Sequence, residues 1–311
     1  MNSGFALSLI TAFMWGVLPV FLKGVLRDLD PVTITWARLL FATVTVGGYH
    51  TWSGKWPASG KFSGKNLGLL AGVAAAMAAN YWLFLAGLDL VAPPVAQLTI
   101  QSGPLFLAIG GWYFFSERIG KRQVIGFAVM LGGFWLFYAG KMASPRVAAE
   151  SLSGRVEGYG IFLVILAALA WAAYALLQKR LAAQFPSSFI LLAGYSGAGI
   201  LLGPVSSPGH AVGLDFKQVC YLLFCCVNTV VAYGCFAEAV QRWEAPRVSA
   251  VLALTPLVTF VASIAEAWIV SGRVPHELLA SPVQWMGAFF VVSGSMVAAL
   301  NTRRSLSKSQ V

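Results

Sequence analysis

Pro94, Gln97, Gln101 and Pro104 follow one another at spacings of three, four and three, which puts them on one face of a helix. That face is too polar for lipid, and each proline deprives a carbonyl one turn earlier of its helical donor. Two readings stay open. The face either lines a cavity where Gln97, Gln101 and freed carbonyls bind a ligand, or it glues helices together through amide hydrogen bonds. Aromatic residues recur at matched places: Trp15 and Trp171, Tyr81 and Tyr233, with Trp82 and Tyr174 beside them. Such rings suit an apolar or aromatic body, or a cation stacked on a ring face, although Trp and Tyr also serve as interface anchors. Arg38, Glu238 and Glu266 fall inside apolar segments, where a charge needs a partner, water or neutralisation. Glu266, and after it Glu238, is a candidate for proton coupling or for contact with a substrate ammonium. The structural alternative pairs Arg38 with one of these glutamates.

The elements that must position these groups are membrane helices. Of 311 residues, 58% are hydrophobic and 10% charged, with a mean hydropathy of +0.76, too little polar surface for a water-soluble globule of this size. Ten segments are predicted as spans: 4–23, 32–50, 67–88, 92–115, 121–140, 157–178, 188–206, 217–241, 246–270 and 283–301. Runs this long exclude a barrel's short alternating strands. The net charge of +10 sits mostly between spans, where it reads as a topology signal rather than a nucleic-acid footprint. Its excess in alternate connections places both termini in the cytoplasm. The polar break from Lys141 to Glu157 divides five spans from five, so the expected organisation is a first repeat over 1–140, a linker over 141–156, a second repeat over 157–301 and a tail over 302–311.

The halves match in sequence. With Pro94 laid on Pro246, Pro104 falls on Pro256, Tyr81 on Tyr233 and Phe84 on Phe236, all at one offset; Gln123, Gly126 and Gly133 match Gln284, Gly287 and Gly294 at a slightly larger one. Five spans per half is an odd number, so the second copy enters the membrane from the opposite face. The expected fold is therefore an all-α membrane protein of ten transmembrane helices built as two inverted five-helix repeats. In the second copy the helix face becomes Pro246, Ser249, Ala253 and Pro256, less polar than the first.

Other features carry less. Gly64, Gly68, Gly72 and Ala76 form a small-residue row leading to Asn80, suited to close helix approach. Glu117 and Arg118 read as a solvated turn. The four cysteines, Cys220, Cys225, Cys226 and Cys235, share one apolar segment and read as core thiols without a disulfide. His50, His210 and His276 fall in or near loops. No GxSxG, Walker, CxxC or HExxH motif proposes an enzyme, and nothing calls for a cofactor or a metal.

On Trp15 with Lys23, Arg38, Pro93 with Pro94, Pro104, the run from Ser116 to Gly133, and Trp171, Pro246, Pro256, Gln284, Gly287 and Gly294, the chain resembles the drug/metabolite transporter superfamily and within it the EamA-type permeases. It departs from that pattern after Pro256: the expected glutamate stands at Glu266, three residues early, followed by a longer loop from Val270 to Pro282. The resemblance implies alternating-access movement of a small organic molecule across a bacterial inner membrane, often export of amino acids or related metabolites. With few charges and many rings on the expected wall, the cargo is expected to be neutral or zwitterionic with an apolar or aromatic body. A multidrug or quaternary ammonium exporter and a non-alternating facilitator or channel are the alternatives. Partners are a small-molecule substrate, the lipid bilayer and protons as coupling ion, with no nucleic acid; the sequence leaves the oligomeric state open.

Overall fold

The computed structural model describes residues 3–54, 56–142, 151–243, 245–273 and 281–300. Among them the regular elements are all helical: α1 (Ser3–Val25), α2 (Pro31–Ser53), α3 (Gly64–Leu90), α4 (Pro93–Thr99), α5 (Gly103–Phe115), α6 (Lys121–Met142), α7 (Ser151–Leu181), α8 (Ser187–Leu202), α9 (Phe216–Arg242), α10 (Ala245–Leu252), α11 (Thr255–Ser271) and α12 (Pro282–Leu300), with short 3₁₀ turns between some of them. Eight segments are long and apolar enough to cross a bilayer. Outward-facing rings such as Trp52, Tyr113, Trp135 and Trp268 are each more than 60% exposed. An apolar surface of that kind suits hydrocarbon rather than water. This is an all-helical membrane protein.

Two expected spans are not continuous helices. The fourth breaks at a 3₁₀ turn, Ile100–Ser102, between α4 and α5, and the ninth breaks between α10 and α11. Pro104 and Pro256 cause the breaks, because each removes the backbone donor that would continue the ladder. α2 starts where Asp30 accepts from the backbone N–H groups of Val32 and Thr33 and Pro31 takes the first helical position. The expected linker is trimmed at both ends, since Lys141 and Met142 belong to α6 and α7 begins at Ser151. The remainder of the linker at 143–150, His276 with the loop at 274–280, and the tail at 302–311 lie outside the described residues.

The helices pair across the halves in an exchanged pattern: α1 with α9 and α7 with α3, α2 with α9 and α8 with α3, α6 with α12. The last pairing is a backbone seam. A Cβ placed on Gly133 would lie 2.5 Å from the Val291 nitrogen and 2.7 Å from the Gly287 carbonyl; one placed on Gly287 would lie 2.4 Å from the Phe137 nitrogen and 2.8 Å from the Gly133 carbonyl. Gly126 and Gly294 clasp in the same reciprocal way, at 2.7 and 2.6 Å from each other's carbonyls. Small residues allow this approach, and at such range Cα–H groups meet facing carbonyls.

Elsewhere the row on α3 is only partly used. Gly72 approaches Leu177 of α7, with 3.2 Å to an added Cβ, and the Asn80 amide donates to the Ala167 carbonyl at 2.8 Å, whereas Gly64 and Gly68 face open space. Glu117 is more than a solvated turn residue. It pairs with Lys179, whose ammonium also lies 4.8 Å from the Phe115 ring centre, and so ties the end of α5 to the end of α7. Both partners are nearly half exposed, so the pair contributes little stability. All four cysteines are free, with Cys225 and Cys226 buried, Cys235 partly so and Cys220 exposed.

Candidate functional site

Arg38 lies on the buried face of α2, on the stripe that also holds Ile34, Thr35, Leu39 and Ala42. It is 4% exposed. Its Nε donates to Thr229 Oγ1 of α9 at 3.1 Å, and that hydroxyl donates in turn to the Cys225 carbonyl at 2.8 Å. The guanidinium carbon stands 5.0 Å from the centre of the Tyr81 ring on α3, a cation–π contact. No carboxylate pairs with Arg38 among the described residues, where the ion pairs are Lys141 with Glu157, Lys179 with Glu117, and Arg242 with Glu238.

The expected pairing of Arg38 with a glutamate is therefore corrected. Glu238 stands one turn before Arg242 near the end of α9, where both side chains reach solvent. Glu266 is partly exposed on α11 and makes no ion pair among the described residues. A threonine and a ring meet the buried guanidinium instead, and among the described residues none of its five donors has a charged acceptor.

Around Arg38 the aromatic residues converge from both halves. The Trp15 ring on α1 lies 5.2 Å from Tyr233 on α9, edge to face, and 5.6 Å from Phe236. Tyr233 lies 6.4 Å from Tyr195 on α8. Tyr81, Tyr174 and Tyr195 are buried in one cluster, with Trp171 and Tyr233 packed on its edge. The hydroxyls of Tyr81 and Tyr195 are buried in this cluster, close to each other and to that of Tyr233. Trp82 is 41% exposed and takes no part.

The two broken helices meet beside this cluster. Just past α10 the Ala253 nitrogen still bonds the Ser249 carbonyl, but the Leu257 nitrogen turns to Leu254, so the Ala253 carbonyl is released from the ladder. The Gln101 amide donates to it at 3.4 Å. Ala253 falls on Gln101 when the sequences of the two halves are laid together, and through this contact the breaks touch each other. The Thr255 hydroxyl covers the Leu252 carbonyl, which Pro256 leaves without its helical donor. Trp171 packs on the other break, its ring 3.0 Å from where a Cβ on Gly103 would stand. Gln97 is buried on α4. Gln101 thus links the two breaks in this structure.

Of the residues singled out from sequence, Trp15, Tyr81, Trp171, Tyr233 and Arg38 come together, Gln97 and Gln101 lie at the adjoining break, and Glu238 and Glu266 do not join them. Thr229 and Tyr195 were missed. Each belongs to a polar pair in an apolar span, Asn228 with Thr229 and Tyr195 with Ser196, and that interruption of the span's composition was the available signal. In this structure the rings of the cluster pack on one another. Two surface hollows lie elsewhere, one of about 650 Å³ at the turn lined by Trp112, Glu117 and Arg118, the other of about 420 Å³ between α11 and α12 against Leu257, Trp285 and Phe289.

A membrane bundle whose two halves both supply this cluster is compared naturally with transporters. The sequence profile of the EamA-like transporter family matches residues 2–139 and again residues 158–300. The chain belongs to this family. It is similar to an uncharacterized transporter of Haemophilus influenzae, 32% identical over 298 residues that cover 96% of this chain and 94% of the relative. An uncharacterized inner membrane transporter of Escherichia coli K12 is 31% identical over 307 residues, covering 96% and 92%. A probable amino-acid metabolite efflux pump of the same organism is 22% identical over 310 residues, covering 96% and 95%. A solved crystal structure superposes with a TM-score of 0.62 at 15% identity, over 97% of this chain and 99% of the other, and shares the fold.

Proposed function

We propose that this EamA family transporter exports an amino acid or a related small metabolite across the inner membrane by alternating access. Its substrate site is built from Trp15, Tyr81, Gln97, Gln101, Trp171 and Tyr233, with both termini in the cytoplasm. The observation that carries the proposal is the contact of the two helix breaks at Gln101 and Ala253, beside an aromatic cluster supplied by both halves. Broken helices at a repeat interface supply unladdered backbone where a transported molecule must be held and released. The exchanged helix pairing and the two separate profile matches support inverted five-helix repeats over 1–140 and 157–301, with α2 and the broken α4–α5 pair completing ten spans. A relative described as a probable amino-acid metabolite efflux pump supports the cargo class.

Counterflow tests the carrier. Proteoliposomes loaded with unlabelled amino acid should accumulate the labelled form transiently, because a reorienting site exchanges faster than it returns empty. A flux that only follows the gradient, with no overshoot, would assign a channel. Glu266 remains the candidate for proton coupling, being a partly buried carboxyl without an ion-pair partner among the described residues. Glu266→Gln is expected to abolish acceleration by a pH gradient while counterflow persists; full pH-driven transport in that variant removes Glu266 from the role.

A further inference from the structure

We infer that the transported molecule carries a carboxylate and that Arg38 is the group that binds it; this rests on the transporter reading above. Arg38 is the one cationic Lys or Arg side chain buried among the described residues, and none of the carboxylates among those residues meets it. Its Nε is taken by Thr229, which fixes the plane of the guanidinium and leaves the paired Nη groups to receive two oxygens side by side. A carboxylate has that shape and a single charge, which one guanidinium balances. A phosphate dianion would leave charge unpaired in a buried site where the described residues supply no second buried cation. The buried hydroxyls of Tyr81 and Tyr195, one from each half, lie in the same cluster and can turn to donate to such a group. The rings of Trp15, Trp171 and Tyr233 then receive the apolar body. The same fixed positive charge repels quaternary ammonium compounds and other cations lacking an acid group.

The test uses the full chain in nanodiscs and reads intrinsic Trp fluorescence and thermal shift with matched pairs: L-leucine, L-phenylalanine and L-threonine against their amides, and 3-phenylpropanoate against phenethylamine. At least one acid should bind, and its amide or amine should bind tenfold or more weakly, the loss expected from one charge-assisted hydrogen bond. Arg38→Gln should abolish that preference, Arg38→Lys should weaken the acid about tenfold, and Tyr81→Phe should weaken it less. Thr229→Val should reduce acid affinity and leave the amides unmoved, a split that general loosening of the fold would not give. Equal binding of acids and amides overturns the inference, as does an acid preference that survives in Arg38→Gln or silence from every acid. Should Arg38→Gln fail to fold, the matched pairs on the wild type and Arg38→Lys decide alone. Wild-type counterflow separates the two levels: counterflow retained by Arg38→Gln removes the anchor and keeps the carrier, whereas its absence in the wild type removes the carrier itself.

Discussion

Gly133→Leu is expected to prevent folded protein from accumulating, while Gly132→Leu at the adjacent position leaves yield and melting temperature close to wild type. A Cβ on Gly133 meets backbone nitrogen at 2.5 Å and carbonyl oxygen at 2.7 Å, and backbone cannot rotate away as a side-chain tip can. Only separation of α6 from α12 would relieve the overlap, and that would undo the paired contact at Gly126 and Gly294 as well. Inserting bulk into a close-packed site costs about 1–3 kcal/mol when neighbours can adjust; here they are backbone, so the cost should lie at or above the top of that range. Gly132 has open space around an added Cβ and faces outward, where leucine meets lipid on equal terms. Size-exclusion profiles of fluorescently tagged variants, followed by melting curves, measure both. Comparable folded yields from the two variants would show that the seam gives way more readily than its geometry implies.

That seam was legible in the sequence as glycines matched between the halves, because close backbone approach leaves a mark in residue type. The helix breaks were legible too, through Pro104 and Pro256. Their meeting was not: the acceptor for Gln101 is the carbonyl of Ala253, a group every residue carries, and only the folded path frees it. Arg38 shows a different limit. Its position marked it as a buried charge, but the rule that such a charge seeks an opposite one pointed within the chain to Glu238 or Glu266. The structure gives it Thr229 and Tyr81. Glu238 had a nearer partner one turn away on its own helix, Arg242. Tyr195 lies outside the matched positions of the two halves, so their register carries no mark of it.

Arg38→Met is expected to raise the melting temperature by a few degrees and to abolish transport. A buried guanidinium held by one neutral hydrogen bond and one ring retains much of its desolvation penalty, and replacing buried charge with well-packed apolar side chains is often neutral or stabilising by about 1–4 kcal/mol. What the substitution removes is modest. Thr229 keeps its own bond to the Cys225 carbonyl, so its hydroxyl is not orphaned, and Tyr81 loses a cation–π contact of about 0.5–2 kcal/mol. Methionine fills the same space with a flexible, polarizable chain that can lie against the Tyr81 ring. Melting curves and counterflow on one preparation check the two halves of the expectation together. A melting temperature several degrees lower would make Arg38 a structural group held by contacts stronger than those seen. A higher one with transport lost would mark a charge kept at a cost to the fold, and such a cost persists where the charge has work to do on a molecule that enters and leaves.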